Sequence, residues 1–377
     1  MKSMRLRVFL LLLGIFALIS LTIAAPAPDA GNPDRDAEHV PKPEPEPKPK
    51  PEGTEKTPDP KPKPKAGDKL LMGIGITADG LKGKNPNEPN DPVDTQGRYK
   101  KVVTDYFAVV TPGNEMKWSF LEENKDQYTF DLADEIARYA KDYKKQLRIH
   151  TFFAKDQNPK WVGDLKPDDL EKKMNAILEK VISQYGPQAI GADIVNEILD
   201  DQGALAKDNP WYKALGDKWL TKVFTHAKQV RDKSAPGMLL FMNDVSTEGI
   251  NAKSTGMLRI ATDLHKAGLL DAVGFQCHFI VNQGDDPTVP KDFKQNLERF
   301  TKEGMTCFAG YIQQVRGCVS VTTWGVTPKD SWIGHNNVFP GFGEATLFDN
   351  DFKPTPAMEA LIQDGFFPKI GGGSGKP

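Results

Sequence analysis

The segment Ile190-Gly-Ala-Asp-Ile-Val-Asn-Glu197 decides the fold, because it is a short, mainly apolar run that ends on an amide and a carboxyl group. The residues before it predict an amphipathic helix, which Pro167 and Asp168 open and Gly186 closes. The apolar positions at helical spacing are Leu170, Met174, Ile177, Leu178, Val181 and Ile182. A buried strand that follows a helix after a short connection is the unit from which parallel sheets are built.

The same alternation continues on both sides, from Lys69 to Ile370. A second helix carries Leu132, Ile136 and Tyr139 on one apolar face. Eight strands that alternate with helices over about 300 residues predict a (β/α)8 TIM barrel. A doubly wound open sheet is the competing fold, but no glycine-rich phosphate loop follows any strand. The predicted strands are Leu71–Thr77, Phe107–Thr111, Leu147–Phe153, Ile190–Val195, Leu239–Met242, Ala272–Cys277, a weaker candidate at Met305–Ala309, and Cys318–Thr323.

Polar and aromatic residues gather where the predicted strands end, which is where a barrel of this kind carries its function. Six of the eight strands contribute, and a purely structural barrel does not need such a ring. Trp324 and Trp332 suit sugars, because the C–H groups of a pyranose face stack on aromatic rings. The ring consists of Asn114 with Glu115, His150, Asn196 with Glu197, Asn243 with Asp244, Gln276 with His278, and Trp324.

Glu197 is the candidate catalytic residue of this ring. A carboxyl group at a strand terminus, beside the amide of Asn196, is suited to protonating the leaving group of a sugar. Cleavage of a glycoside normally requires two carboxyl groups, roughly 5–5.5 Å apart in retaining enzymes and roughly 6.5–9.5 Å apart in inverting ones. A second one is expected late in the chain, yet no Asp or Glu occurs between Glu303 and Asp330.

In order along the chain, these motifs resemble glycoside hydrolase family ten, the endo-β-1,4-xylanases. The resemblance covers essentially the whole domain and also includes the ending Leu347-Phe-Asp349 with Lys353-Pro354. The motifs are Thr111-Pro-Gly-Asn-Glu-Met-Lys117-Trp118, Arg148-Ile-His150-Thr151, Asp193-Ile-Val-Asn196-Glu197, Asn243-Asp244, Gln276-Cys-His278, and Thr323-Trp324-Gly325-Val326 with Ser331-Trp332.

The resemblance implies a (β/α)8 barrel, a xylan cleft and retention of the anomeric configuration. Glu197 would be the general acid/base, and a second Glu on the seventh strand would be the nucleophile. Three of the candidates also have plainer explanations: Lys117 as a surface lysine, His278 as a core histidine and His150 as a structural support. The implied substrate-binding residues are Asn114, Lys117, His150, Asn196, Gln276, His278, Trp324 and Trp332.

The departures from the family pattern are concentrated at the site. Gly113 stands where the family usually has Glu, and Ala154 and Lys155 replace a usual Trp-His pair. The usual Trp before the acid/base motif is Ala192, and the usual aromatic after Asn-Asp is Val245. The Thr-Glu-Leu-Asp signature of the seventh strand is absent: Glu303-Gly-Met305 runs directly into Thr306-Cys-Phe-Ala309 and then Tyr311-Ile-Gln-Gln-Val-Arg316. The nucleophile segment is therefore expected to be missing, which threatens the pairing of the neighbouring strands.

Three interpretations remain open. The first is a xylanase that lacks one segment through a splice form or a mispredicted exon. The second is a pseudoenzyme that binds xylan without cutting it, and the third is an enzyme with a relocated nucleophile. For relocation, Asp244 lies at the correct end of the barrel, whereas Glu303 is expected at the opposite end. Four altered positions argue against a simple missing segment: Gly113, Ala154, Lys155 and Ala192.

The N-terminal residues predict export. Residues 1–24 combine a basic start, an apolar run and a small-residue cleavage site, so the mature chain should begin at or near Ala25 and be secreted. Residues 25–68 form a linker in which ten prolines between Pro41 and Pro64 alternate mainly with Lys and Glu, a composition typical of an extended, disordered spacer. The barrel domain spans residues 69–370, and residues 371–377 form a flexible tail.

Composition bounds the partners. The net charge of −2 over 377 residues gives no reason to expect nucleic acid, and a 38% hydrophobic content supports a large core. His and Asp residues lack metal-ligand spacing, so no metal or cofactor is expected, and a monomer without membrane association after cleavage is predicted. Cys277 is expected to be a buried free thiol within a strand, while Cys307 and Cys318 lie on adjacent strands, either free or disulfide-bonded.

Overall fold

The structure, a computed structural model, describes residues 70–367 except 86, 89, 280–288, 309–314, 316 and 335–340. The predicted signal peptide, linker and C-terminal tail lie outside the described residues, as do Tyr311 and Arg316. Within the described part of the chain, no helix has the length and apolar character needed to cross a membrane.

Nine parallel strands form one closed sheet. The strand order is β3-β2-β1-β9-β8-β7-β6-β5-β4, and β3 also pairs with β5, which closes the ring. β3 and β4 both pair with β5 and together occupy the third position of the barrel, so the predicted (β/α)8 TIM barrel is confirmed. The strands are β1 Leu71–Ile76, β2 Val109–Pro112, β3 Gln146–Ile149, β4 Phe153–Ala154, β5 Ala189–Asn196, β6 Leu239–Asp244, β7 Ala272–Phe275, β8 Thr306–Phe308 and β9 Cys318–Trp324.

Helices between the strands cover the outside of the barrel. The predicted helix before β5 is α5, which ends at Tyr185 with Gly186 as its C-cap, and its apolar stripe is at most 1% exposed. The face predicted on α4 is only partly buried: Ile136 and Tyr139 are covered, but Leu132 is 41% exposed. The described helices are α1 Ala78–Leu81, α2 Arg98–Tyr106, α3 Trp118–Leu121, α4 Asp131–Asp142, α5 Pro167–Tyr185, α6 Pro210–Leu215, α7 Trp219–Ser234, α8 Ala252–Lys266, α9 Phe293–Lys302 and α10 Pro356–Gln363.

The seventh position of the barrel is occupied, although the sequence predicts that a segment is missing there. β8 is three residues long, yet it pairs with β7 through Gly274 and Phe308 and with β9 through Phe308 and Ser320. Inside the barrel, Phe308 packs on Phe241 with 4.4 Å between ring centroids. The prediction that the pairing of the neighbouring strands would be lost is therefore wrong. Three paired residues and one large apolar side chain suffice to join these strands.

The cysteines differ in part from expectation. Cys307 and Cys318 are register partners on β8 and β9, as predicted, and both are free thiols. The hydrogen bond with Cys318, together with burial, raises the pKa of Cys307. Cys277 is also a free thiol, but it follows β7 rather than lying inside it, and it is half-buried with φ of 55°. The predicted strand, Ala272–Cys277, is two residues longer than β7, because the chain leaves the sheet after Phe275.

Candidate functional site

The carboxyl ends of the strands open into a cleft of about 990 Å³. This volume lies at the upper end of the range for ligand sites, roughly 300–1,000 Å³. All nine residues predicted to act in catalysis or substrate binding line the cleft, so the fold brings together side chains that are far apart in the chain. They are Asn114, Lys117, His150, Asn196, Glu197, Gln276, His278, Trp324 and Trp332.

Glu197 directly follows β5 in a left-handed backbone conformation, with φ of 58°. Its backbone N–H donates to the carbonyl of Asn243 at 3.0 Å, which ties this turn to β6. One carboxyl oxygen, Oε1, accepts hydrogen bonds from Asn196 Nδ2 at 3.1 Å and from Gln276 Nε2 at 2.7 Å. A strained backbone conformation that surrounding hydrogen bonds hold in place is typical of a functional position.

The two amides that hold Glu197 are themselves positioned. Asn243 Nδ2 donates to Asn196 Oδ1 at 2.7 Å, and Gln276 Nε2 reaches the same oxygen at 3.2 Å. With its oxygen engaged as an acceptor, the Asn196 amide must present its nitrogen to Glu197. The orientation of Glu197 is thus set by side chains from β5, β6 and the segment after β7.

A buried charged group supports His150 from below. Asp193 is fully buried and accepts two hydrogen bonds from Arg148, at 3.0 and 2.7 Å, and pairs with His150 Nδ1 at 2.8 Å. Burial disfavours the charge of Asp193, but Arg148 and His150 outweigh it and hold the pKa of Asp193 below its usual value. Burial also lowers the pKa of His150, so the ring is neutral near pH 7. Nδ1 then donates to Asp193, which leaves Nε2 as a hydrogen-bond acceptor.

Lys117 forms a polar wall of the cleft. Its ammonium donates to Asn114 Oδ1 at 2.8 Å and to Gln157 Oε1 at 2.5 Å. Burial lowers its pKa to about 8, although Glu197 and Glu115 oppose this shift. Glu115 holds the loop itself, because its two oxygens accept from the backbone N–H groups of Ala78 at 2.7 Å and Asn114 at 3.0 Å. Glu115 therefore has a structural role, while Lys117 reaches the cleft.

Two indoles line the cleft beside two histidines. Trp324 ends β9 and meets His150 edge-on, with 5.2 Å between ring centroids, and Gly75 makes room for it: a Cβ at Gly75 would lie 2.9 Å from the indole. Trp332 is 38% exposed and meets His278 in the same way at 5.6 Å. Although solvent reaches His278, partial burial lowers its pKa, against the opposing charges of Glu248 and Glu197.

Neither carboxylate weighed for relocation is positioned in the cleft. Asp244 is fully buried, pairs with Lys253 at 2.9 Å and accepts from the backbone N–H groups of Leu199 and Val245. Burial raises its pKa to about 6, with Lys253 opposing. These contacts make Asp244 a structural anchor of β6 and argue against a role as a base. Glu303 caps α9 and pairs with Lys266 at 3.4 Å, at the opposite end of the barrel as expected.

A carboxylate that sequence reasoning missed does line the cleft. Glu248 is 7% exposed, and its Oε1 accepts from the backbone N–H of Cys277 at 2.7 Å. It lies in the loop after β6, four residues beyond the strand end, so no strand-end pattern identifies it. Arg148 and Asp193 also have a role that the motifs alone did not indicate, although charged residues within apolar strands signal a buried pair. Among the described residues, no cluster of three His, Cys, Asp or Glu is arranged to hold a metal ion.

The sequence profile described as "Glycosyl hydrolase family 10" matches residues 84–309 and 305–364. The two matched segments meet at 305–309, which is where β8 lies. The match is therefore interrupted at the strand that the sequence analysis identified as shortened.

Individual relatives agree with this match. The chain is 30% identical over 302 residues to "Endo-1,4-beta-xylanase 1" of Humicola insolens, covering 71% of this chain and 68% of that protein. It is 27% identical over 295 residues to "Endo-1,4-beta-xylanase B" of Thermotoga neapolitana, covering 70% and 82%. A crystal structure of a glycosylated family 10 endo-β-1,4-xylanase from Gloeophyllum trabeum superimposes with a TM-score of 0.68 at 29% identity, covering 78% of this chain and 96% of that one.

Proposed function

The chain belongs to glycosyl hydrolase family 10, and from this premise we propose that it is a xylan-degrading glycoside hydrolase of the endo-1,4-β-xylanase type that retains a sugar-binding cleft and has a turnover close to background. One observation carries the proposal. The cleft assembles Glu197 with its amide donors and two indoles, whereas β8 presents Phe308 to the same cleft. This arrangement supports protonation of the leaving group and does not support attack on the anomeric carbon.

Glu197 is the proposed general acid. Its Oε1 accepts two amide hydrogen bonds, so the transferable proton belongs on Oε2. After the proton has moved to the glycosidic oxygen, the two amides are correctly oriented to hold the resulting carboxylate. This arrangement favours protonation of a leaving group by Oε2, the oxygen that the two amides leave free of their hydrogen bonds.

Xylo-oligosaccharides are the proposed ligands. Trp324 and Trp332 offer aromatic faces for pyranose rings, while Lys117 and the acceptor nitrogen of His150 face sugar hydroxyls. Gly113 leaves space at the position where the family usually has Glu, since a Cβ there would meet its nearest neighbour only at 3.4 Å. With this contact absent we expect binding in the millimolar range, about −4 kcal/mol.

The proposed low turnover is supported by the state of Glu115 and Asp330, two further carboxylates that line the cleft. A retaining reaction needs a second carboxyl group roughly 5–5.5 Å from the acid. Both oxygens of Glu115 are engaged by backbone N–H groups, and Asp330 accepts from the N–H groups of Val326 and Thr327 and from Tyr99. The described part of the seventh strand ends in Phe308, which can neither attack carbon nor stabilise a cation by charge.

A second candidate, slow hydrolysis with Glu248 as base, has one observation in its favour. Glu248 and Glu197 both act electrostatically on His278, so both carboxylates lie near that ring. A base that activates water would act without covalent attachment and would invert the anomeric configuration. Residual xylan cleavage that is abolished by Glu248→Gln, with an inverted first product, supports this candidate.

Calorimetry and a reducing-sugar assay on the same preparation test the proposal. We expect xylohexaose to bind in the millimolar range, Trp324→Ala to remove the binding heat, and xylan hydrolysis to stay near background. Tyr143→Ala is the control, because Tyr143 is 39% exposed but lies outside the cleft. Robust sugar release by the unmodified chain, lost on Glu197→Gln, contradicts the low turnover. An absence of heat with xylohexaose contradicts the binding function.

Export as a monomer completes the proposal. The basic start and apolar run of residues 1–24 support secretion with cleavage near Ala25. N-terminal sequencing of protein from the medium tests cleavage, and an N-terminus that still contains Leu10–Leu13 contradicts it. Size-exclusion chromatography with light scattering tests the monomer.

A further inference from the structure

We propose that Phe120 and Leu132 form a distal sugar subsite at the end of the cleft beyond Lys117. The proposal rests on the proposed xylan-binding function and assigns one further unit of the same uncharged β-1,4-linked chain to these two residues, called here the distal pair. Both residues line the cleft, and neither belongs to the residues that the family resemblance implied.

Phe120 is exposed where its helix is otherwise buried. In α3, Trp118 and Leu121 are each 1% exposed, whereas Phe120 is 46% exposed. Phe120 donates its backbone N–H to the carbonyl of Lys117 at 2.9 Å, and residues three apart lie on the same face of a helical turn. The ring therefore lies one turn beyond Lys117, whose ammonium is within electrostatic reach of Glu197. A large aromatic side chain along the wall of a cleft is positioned to contact what the cleft binds.

Leu132 provides an independent observation. It begins the apolar stripe of α4, in which Ile136 and Tyr139 are 0% and 5% exposed, yet Leu132 itself is 41% exposed. The apolar face of the helix thus continues beyond its buried part, and its exposed first residue, Leu132, lines the cleft. Two exposed apolar side chains from different helices, α3 and α4, meet the same cleft, and this is the reason to regard them as one surface.

The polar groups beside the distal pair match a sugar. Gln157 adopts a left-handed conformation, with φ of 61°, and its Oε1 accepts from Lys117, so its amide nitrogen is available on the cleft wall. A pyranose has apolar C–H faces and a hydroxyl-bearing rim, which is the combination that an aromatic ring and an amide recognise together. The distal pair follows Lys117 along the cleft wall, and neither of its residues carries a charge. The occupant of the site is therefore the next unit of the bound, uncharged sugar chain.

Isothermal titration with xylobiose through xylohexaose tests the subsite in the full chain. We expect the affinity of the unmodified protein to rise with length until the oligomer reaches Phe120, and Phe120→Ala to remove that rise, a loss of roughly 2- to 10-fold for long oligomers. Xylobiose affinity should be unchanged. Phe120→Trp should preserve or enlarge the rise, which guards against a folding defect in the alanine variant, and Tyr143→Ala is the matched exposed-aromatic control.

The outcomes separate this inference from the proposed function. Equal affinities of Phe120→Ala and unmodified protein at every length overturn the subsite. An equal loss for xylobiose and xylohexaose overturns it as well, because the ring would then act at the centre of the cleft. If no xylo-oligosaccharide binds at all, or if Trp324→Ala changes nothing, the proposed function fails before the distal pair is reached.

Discussion

Replacing Asp193 with Asn tests the charged group beneath the cleft. Asparagine keeps the shape of the side chain but removes the negative charge that Arg148 faces at 2.7 Å. Arg148 has 10% of its side chain exposed and would be left as a buried cation without its counter-ion. Removing one partner of a buried pair typically costs 3–5 kcal/mol, so we expect the free energy of unfolding to fall by about 4 kcal/mol.

The stability lost in the same variant should depend on pH. The pKa of Asp193 is held below its usual value in the folded state by Arg148 and His150, although burial opposes them. A carboxyl group of this kind stabilises the fold fully above its unfolded pKa, about 3.9, and loses that contribution as the pH falls through the folded value. The stability difference between the unmodified protein and Asp193→Asn should thus be constant near neutral pH and shrink below about pH 4.

Urea denaturation followed by tryptophan fluorescence measures both effects. The matched control is Asp105→Asn, because Asp105 pairs with Lys101 at 2.6 Å on the surface with 44% of its side chain exposed. Exposed pairs contribute about 0–1 kcal/mol, so the control should change little. A loss for Asp193→Asn no larger than that of the control would refute the reasoning, as would a difference that grows on acidification.

Two further predictions concern the cleft and the seventh strand. Lys117→Met should raise stability at neutral pH and weaken xylohexaose binding, because burial lowers the pKa of Lys117 to about 8. The stability of the unmodified protein should rise between about pH 8 and 10.4, where the unfolded chain binds more protons. Thermal melts of the unmodified protein that show no such rise contradict the lowered pKa. Insertion of a Thr-Glu-Leu-Asp-bearing segment after Met305 should raise the rate of hydrolysis by several powers of ten, each worth about 1.36 kcal/mol, and should raise the melting temperature by lengthening the three-residue β8. The same insert with Gln in place of Glu should raise only the melting temperature. Equal activity of both inserts contradicts the assignment of the missing nucleophile.

The strands were predictable because each is a separate apolar run between amphipathic helices. β5 extends one residue beyond its predicted bounds at each end, and even the weak seventh candidate exists as β8. The third strand was predicted as one run, but it divides into β3 and β4, with three residues between them that make no ladder pairs. Hydrophobicity identifies a buried run, and it does not report where the backbone leaves the ladder.

The site was predictable where side chains follow strand ends and hidden where they come from loops or helix faces. Glu248 approaches from a loop, and Phe120 and Leu132 come from α3 and α4, so periodicity assigned Leu132 to the packed face. Whether a carboxylate such as Asp244 reaches the cleft depends on its partners, and Lys253 could be identified only from the fold. Neighbours in space decide these roles, and spacing in the chain does not.

Closure of the barrel and attack on the substrate are separable functions of the seventh strand. Closure needs backbone pairing and an apolar side chain, which Thr306–Phe308 supply through β7, β9 and Phe241. Attack needs a second carboxyl group, and the described β8, Thr306–Phe308, contains none. Because Glu197 and its amides are held by β5, β6 and the segment after β7, shortening β8 leaves them in position. The proposed sugar binding is therefore compatible with the proposed absence of the attacking carboxylate.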